Sequence, residues 1–293
     1  MNFTSRRTLL TSVAAAAASL PLINDLAGNG STAAAATTEF SSNTVMYGDP
    51  ARKEGVDWMR RYRCGAPTAF NDYAKDGPSA PVRSTAIIAP HGGGLEAGTS
   101  ELCLTLAGYT LVDPGVEPQA VPGVPQRDYW MFETLTSPGQ PLHVTSTNCD
   151  DPAALAVCGN NLYAVSLHGY SPDDNALAKR ILIGGRDQRL IGNLAWAFNK
   201  HGLNSTLGVT VVVAGANAEL NGDDPANIVN RTRTGAGAQL EISTELRRAM
   251  FGDFSGGAAR RATAGAGAAA PYWNGFVAAV REALDLHESG RAS

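Results

Sequence analysis

The residues able to do chemistry sit at a few well-spaced places. His91 and Glu96 are separated by Gly92-Gly93-Gly94-Leu95. An imidazole and a carboxylate joined by a turn that folds back sharply can supply two of the three protein ligands of a catalytic zinc. The same glycines suit a plain tight turn or a phosphate cradle, so the spacing leaves these readings open. His168, at the end of the apolar run Ala164-Val165-Ser166-Leu167 and followed by Gly169, is the natural third ligand. Glu241 lies between Leu240 and Ile242. A carboxylate in such a run is costly unless it has a partner or a task, which makes it the candidate general base. Asn230, Arg231 and Arg186 are the groups able to grip a substrate carboxylate, the arginines by a bidentate fork. His143 alternates with Leu142 and Val144 and reads as a sheet residue, and His201 suits a helix C-terminus; neither counts as a ligand.

Strands and helices must hold these groups. Thr85–Ala89 is a short apolar run that reads as a strand buried on both faces, stopped at Pro90. Further strands are expected at Tyr129–Glu133, Leu142–Ser146, Ala164–Gly169, Ile181–Gly185, Gly208–Val213 and Gln239–Ser243. Helices are expected around Val56–Met59, from an N-cap at Thr99, over Arg189–His201 with Gly202 as its C-cap, from Thr244 to Met250, and over Tyr272–Leu286. Residues 113–127 read as a Pro- and Gly-rich loop, and the Ala/Gly-rich stretch Ala258–Ala270 as a mobile one. The alternation implies a three-layer α/β sandwich with a mixed, mainly parallel sheet covered by helices. Ligands in such sheets collect at the carboxyl ends of the strands.

The 293 residues are 44% hydrophobic and 17% charged, the composition of a folded chain with a large core. A net charge of −4 argues against nucleic acid or an anionic membrane as partner. Ser5-Arg6-Arg7-Thr8-Leu9-Leu10, a short apolar run and Ala34-Ala35-Ala36 read as a twin-arginine export signal over residues 1–36. A linker over 37–46 and a single catalytic domain over 47–293 follow, in a secreted monomer free of the membrane once the signal is removed. In an oxidising destination Cys149 and Cys158 are the most plausible disulfide, with Cys64 and Cys103 the remaining pair. Ser100 and Ser166 lack the Gly-x-Ser-x-Gly elbow of a serine hydrolase.

Laid out in order, His91-Gly-Gly-Gly-Leu-Glu96, Ser100-Glu101, Leu167-His168-Gly169, Asn230-Arg231 and Gln239-Leu240-Glu241 resemble the poly-γ-glutamate hydrolase family, over about Tyr47 to Leu286. The stretch APHGGGLEAGTSEL is the most specific part. The resemblance implies a fold similar to the zinc carboxypeptidases. It also implies one zinc held by His91, Glu96 and His168, with Glu241 as general base and Arg231 as a substrate-carboxylate residue. The expected reaction is cleavage of γ-glutamyl amide bonds of poly-γ-glutamate by a metal-activated water. Two alternatives stand beside it: a zinc amidase or carboxypeptidase acting on peptidoglycan peptides, and a non-catalytic binder of an anionic polymer.

Overall fold

The computed structural model of the chain describes residues 40–65, 84–136, 142–172, 175–215 and 218–290, all within one compact unit. The export signal expected over residues 1–36 lies outside them. Among the described residues seven strands form one sheet: β1 (Trp58–Arg63), β2 (Thr85–Gly93), β3 (Tyr129–Thr134), β4 (Tyr163–Tyr170), β5 (Arg180–Gly185), β6 (Thr210–Val213) and β7 (Ala238–Ser243). Their order is β1-β3-β2-β4-β7-β5-β6. The central strands β3, β2, β4 and β7 run parallel; β1 and the β5–β6 pair are joined antiparallel to either side.

Alternation assigns each strand residue to a face. Ile87, Val165, Leu167, Leu240 and Ile242 point to one side, where they meet α2 (Thr99–Leu106), α4 (Gln188–Lys200) and α7 (Ala270–Glu288). Their neighbours Ala86, Ile88 and Ala164 point to the other, with Trp130, Phe132, α1 (Asn43–Tyr47) and α3 (Pro152–Asn160). The second layer covers only part of its face; beyond it Ser166, His168, Gln239 and Glu241 line an open cleft or lie beside it.

The two long helices follow their sequence signals. In α4, Asp187 caps the start by accepting from the Leu190 N–H at 2.9 Å. Its apolar stripe Leu190, Leu194 and Phe198 is fully buried against α7, where Phe198 and Phe276 stack at 5.3 Å between centroids. Burying a side chain of that size stabilises the fold by about 1.5–3 kcal/mol. Ser243 ends β7 and caps α5 (Thr244–Ala249) through the Leu246 N–H, so strand runs directly into helix.

Several expectations are corrected. The stretch around Val56–Met59 is a turn leading into β1, because an edge strand pairing Trp58 with Thr134 claims it. Residues 142–145 form no strand; they pass over the sheet into a short 3₁₀ turn at Ser146–Asn148. Ala258–Ala270 holds helix α6 (Gly257–Thr263) and a 3₁₀ turn, since the buried Arg260, lying over the half-buried Phe254 ring, anchors it where the composition hid it. Thr99 is the first helical residue of α2, preceded by Gly98 at φ 101°. The expected linker carries α1, whose Met46 is fully buried. All four cysteines are thiols. Cys149 and Cys158 are buried in the second core layer without a bridge, and Cys103 Sγ lies 3.3 Å from Ile87 O while Cys64 is exposed, so neither expected pair is formed. Among the described residues no helix is long and apolar enough to cross a membrane.

Candidate metal centre and active-site cleft

A local irregularity brings His91 to the right face. By strict alternation His91 follows Ile87 and Ala89 into the helix-covered core. Between Ala89 and Gly92, however, β2 advances three residues while β3 advances two, from Met131 to Glu133. The extra residue is a β-bulge, and a bulge re-aims the side chains after it. His91 thereby turns to the face that carries His168. The chain then folds back through Gly93, whose φ of 68° and close approach to Thr134 leave no room for a side chain: a Cβ there would lie 2.2 Å from Thr134 O. The return brings Glu96 beside His91, with the Glu96 N–H donating to His91 O at 2.8 Å.

His91, Glu96 and His168 offer three ligand atoms within 4.8 Å of one another. His91 Nδ1 lies 2.8 Å from Glu96 Oε1 and 3.2 Å from His168 Nδ1, and His168 Nδ1 lies 3.5 Å from Glu96 Oε2. Partners on the far sides fix the roles. His91 Nε2 is 2.9 Å from Val144 O, which can only accept, so this nitrogen carries the proton and Nδ1 presents a lone pair. His168 Nε2 meets the Ser166 hydroxyl at 2.8 Å, which suits the same tautomer. The Gly169 N–H donates to Glu96 Oε2 at 2.9 Å and holds that carboxylate in place. Two bare imidazole nitrogens and a carboxylate then converge. Three acceptors facing one another repel unless a cation stands between them, and two nitrogens with one carboxylate is a zinc donor set. The donor set therefore fits zinc.

Glu241 is the register partner of His168 across β4–β7. It is 4% exposed, and Gln239 Nε2 donates to its Oε1 at 2.9 Å. Burial pushes the Glu241 carboxyl up to about 7, with His168 pulling against it and Glu96 adding to the rise. Burial also raises the Glu96 carboxyl, but His91 and His168 more than offset this and hold it well below the usual carboxylate range. Two carboxylates on one site thus have their affinities for a proton driven apart, the pattern of an acid–base pair with separate tasks.

These groups open into a cleft of about 370 Å³. His143, expected to be an ordinary sheet residue, lines it. Its ring packs on His91 with centroids 4.1 Å apart, and its Nδ1 is buried without a hydrogen-bond partner. Burial, followed by the neighbouring His91, pulls its imidazole down to about 3, so it stays neutral. The remaining walls include Thr145, Ser146 and Thr147 and, opposite, the acidic turn Asp223-Asp224.

The substrate-binding expectations fare differently. Asn230 stands behind the cleft wall: its amide donates to Gly222 O at 2.9 Å and Asp224 O at 2.8 Å, and its oxygen accepts from the Gly237 N–H. It shapes the 222–224 turn and has no donor left for a substrate. Arg231 is exposed on the α3 side, where its charge acts on Cys158, and does not line the cleft. Arg186 is exposed, reaches Asp223 O at 3.4 Å, and lines a separate hollow behind that turn. Among the described residues that line the cleft there is no arginine or lysine. Sequence reading also missed Arg247, which is buried behind Gly169 and donates to Ile242 O and Ala97 O. A Cβ on Gly169 would lie 2.4 Å from its guanidinium carbon. Gln239, two residues before Glu241 and so on the same face, was within reach of the alternation rule.

Fold and site together define a mixed-sheet α/β protein with a His–Glu–His cluster able to hold a metal ion near the carboxyl ends of its parallel strands and a buried carboxylate one strand away. Residues 68–272 match the profile of the family described as Poly-gamma-glutamate hydrolase. The chain belongs to that family. Its relatives include the SPbeta prophage-derived UPF0714 protein YoqZ of Bacillus subtilis (strain 168), 35% identical over 175 residues covering 59% of this chain and 54% of YoqZ. The UPF0714 protein YndL of the same organism is 34% identical over 170 residues, covering 58% of this chain and 57% of YndL. These matches span little more than half the length of either relative. Among solved structures, a bacteriophage poly-gamma-glutamate hydrolase superposes with a TM-score of 0.63 at 27% identity, covering 86% of this chain and 98% of that one. A zinc-free apo form of YndL superposes at 0.62 and 25% identity, over 85% and 98%.

Proposed function

We propose that the chain is a zinc-dependent hydrolase of γ-glutamyl amide bonds, acting on poly-γ-glutamate outside the cell. The observation that carries this reading is the meeting of His91 Nδ1, Glu96 and His168 Nδ1 at one point, beside a Glu241 carboxyl poised near neutrality. The family membership and the zinc-free YndL form support the same metal and reaction.

When bound, zinc would polarise the scissile carbonyl and acidify water close to pH 7. The side chains do the rest. Val144 O and the Ser166 hydroxyl set the two histidine tautomers. Glu241 takes a proton from the attacking water and returns it to the leaving amine. His143, neutral and lining the cleft, is the donor closest in character to what the developing oxyanion needs. Gln239 keeps Glu241 aimed. The paired arginines Arg6-Arg7 support export by the twin-arginine route, as a monomer with its metal already in place.

One observation favours a second reading. Among the described residues, the cleft carries Asp223 and Asp224 on its wall and no basic side chain. An acidic wall suits a γ-glutamyl bond followed by a cationic residue, as in cell-wall peptides. Assaying purified protein on poly-γ-glutamate and on a γ-glutamyl peptide with a diamino acid, each before and after strong chelation and zinc return, separates the two. Cleavage of neither substrate by zinc-loaded protein would remove the hydrolase reading.

A further inference from the structure

A second cavity, of about 560 Å³, lies on the other side of the His91–Glu96 loop. Gly93, Gly94 and Ala97 of that loop form one wall, and Arg248, Arg260 and Arg261 stand around it with Phe254. The two hollows therefore flank the same metal-binding turn, one poor in positive charge and one rich in it.

The arginines differ in how firmly they are held. Arg260 is buried; its Nε donates to Glu101 Oε1 at 3.0 Å and its Nη2 to Gly93 O at 3.1 Å, tying the cavity to the metal loop. Glu133, also on the wall, is matched by Arg61 at 3.2 Å. Arg248 is 57% exposed and engages Glu245 through Nε alone, at 3.2 Å, while stacking on Phe254. Arg261, its side chain 15% exposed, donates through both Nε and Nη2 to Asp113, a side chain 67% exposed. The exposed Arg248 pair contributes little, and Arg261 keeps Nη1 outside its pair, so each has N–H groups to offer another carboxylate. Two buried polar atoms of its lining residues have no partner: Thr136 Oγ1 and Glu101 Oε2, the latter in a residue 2% exposed. The Glu101 oxygen is an acceptor without a donor.

A ligand that answers all of this carries a free carboxylate for Arg248 and Arg261 and an amide N–H for Glu101 Oε2. A γ-linked glutamyl unit has both, one of each per residue. We propose that this cavity is a distal subsite for the polymer, holding a γ-glutamyl unit removed from the scissile bond while the chain crosses the Gly92–Gly94 turn. The inference rests on the γ-glutamyl reading above and adds to it where the anionic chain is gripped. It also accounts for a polyanion being drawn to a protein of net charge −4, whose cleft has no cation among the described residues.

The test uses the zinc-loaded full chain and a paired Arg248→Gln, Arg261→Gln variant, with long poly-γ-glutamate and γ-linked triglutamate as substrates. Polymer binding is measured in parallel by anisotropy of labelled polymer in a Glu241→Gln background. The expected result is a roughly tenfold loss of polymer affinity, and a matching fall in the ratio of polymer to triglutamate kcat/KM, for two lost surface contacts. In the unaltered protein the polymer KM should rise steeply with salt while the triglutamate KM moves little. Cleavage with an unchanged length ratio and unchanged affinity overturns the subsite and leaves the hydrolase reading standing. Arginine-dependent binding without any cleavage by the zinc-loaded protein does the reverse. Absence of polymer binding by either protein overturns both.

Discussion

His168 and Glu241 face each other as register partners on the parallel strands β4 and β7. A candidate metal ligand and a candidate base are thus one inter-strand spacing apart, held by backbone pairing and not by a loop. Since burial lifts Glu241 to about 7, its useful, ionised form is lost just below neutrality. We expect kcat/KM to fall about tenfold per pH unit below 7 and to level off above it. A profile flat between pH 5 and 7 would take the role away from Glu241.

The same shift bears on stability. The folded value lies above the 4.5 of an ordinary glutamate, so the chain binds this proton more tightly when folded. The stabilisation is complete below 4.5 and is lost as pH rises through about 7. At about 1.36 kcal/mol per unit the loss is on the order of 3 kcal/mol. In chelated protein, Glu241→Gln should therefore raise the melting midpoint at pH 8 and leave it nearly unchanged at pH 4. Equal shifts at both pH values would mean that the charge is not responsible.

Metal content checks the cluster directly. Wild-type protein should carry a single zinc per chain, and Glu96→Gln or His91→Ala should lose most of it under the same dialysis. Chelation should also lower the melting midpoint, because facing acceptors are left uncompensated. Full zinc occupancy in Glu96→Gln would show that Glu96 serves only to orient His91.

His143→Ala should reduce kcat by roughly a hundredfold, the usual loss for one oxyanion donor, with zinc content intact. His143→Gln keeps a donor and should recover part of the rate. If both variants bind zinc and turn over like wild type, the buried nitrogen plays no part in the reaction.

In the helix layer, Phe276→Ala removes a fully buried ring that stacks on Phe198. The expected cost is about 3–5 kcal/mol, read from denaturant unfolding of the zinc-loaded protein. A loss below about 1 kcal/mol would mean that α4 and α7 close up around the gap.

The strands that carry His168 and Glu241 were legible because an apolar run ending in a polar residue has one physical reading in a two-sided sheet. Helix α4 was legible because its stripe and its Gly202 exit agree. Residues 142–145 were not: Leu-His-Val-Thr alternates like a strand, yet its alternation serves to lay His143 over His91. Arg231 and Arg186 were chosen for their charge, and charge says nothing about which side of a turn a side chain takes. Asn230 was the right place with the wrong task, since its hydrogen bonds go to backbone carbonyls that no local pattern reveals. Helix α6 was masked by alanine and glycine, and long-range contacts, the pair of Arg260 with Glu101 among them, fix it.

The bulge at Pro90 gives the site a dependence on counting. Two strands in step can tolerate many exchanges of side chain, because each residue keeps its side. Between Ala89 and His91 the extra residue and the bulge that absorbs it belong together. Forcing β2 and β3 into step with Pro90 still present would send His91 inward among the helices and leave every other residue of the cluster untouched. A loop graft or library built on this scaffold that conserves all the ligands but straightens the bulge without dropping its extra residue would thus keep the ingredients and lose the site.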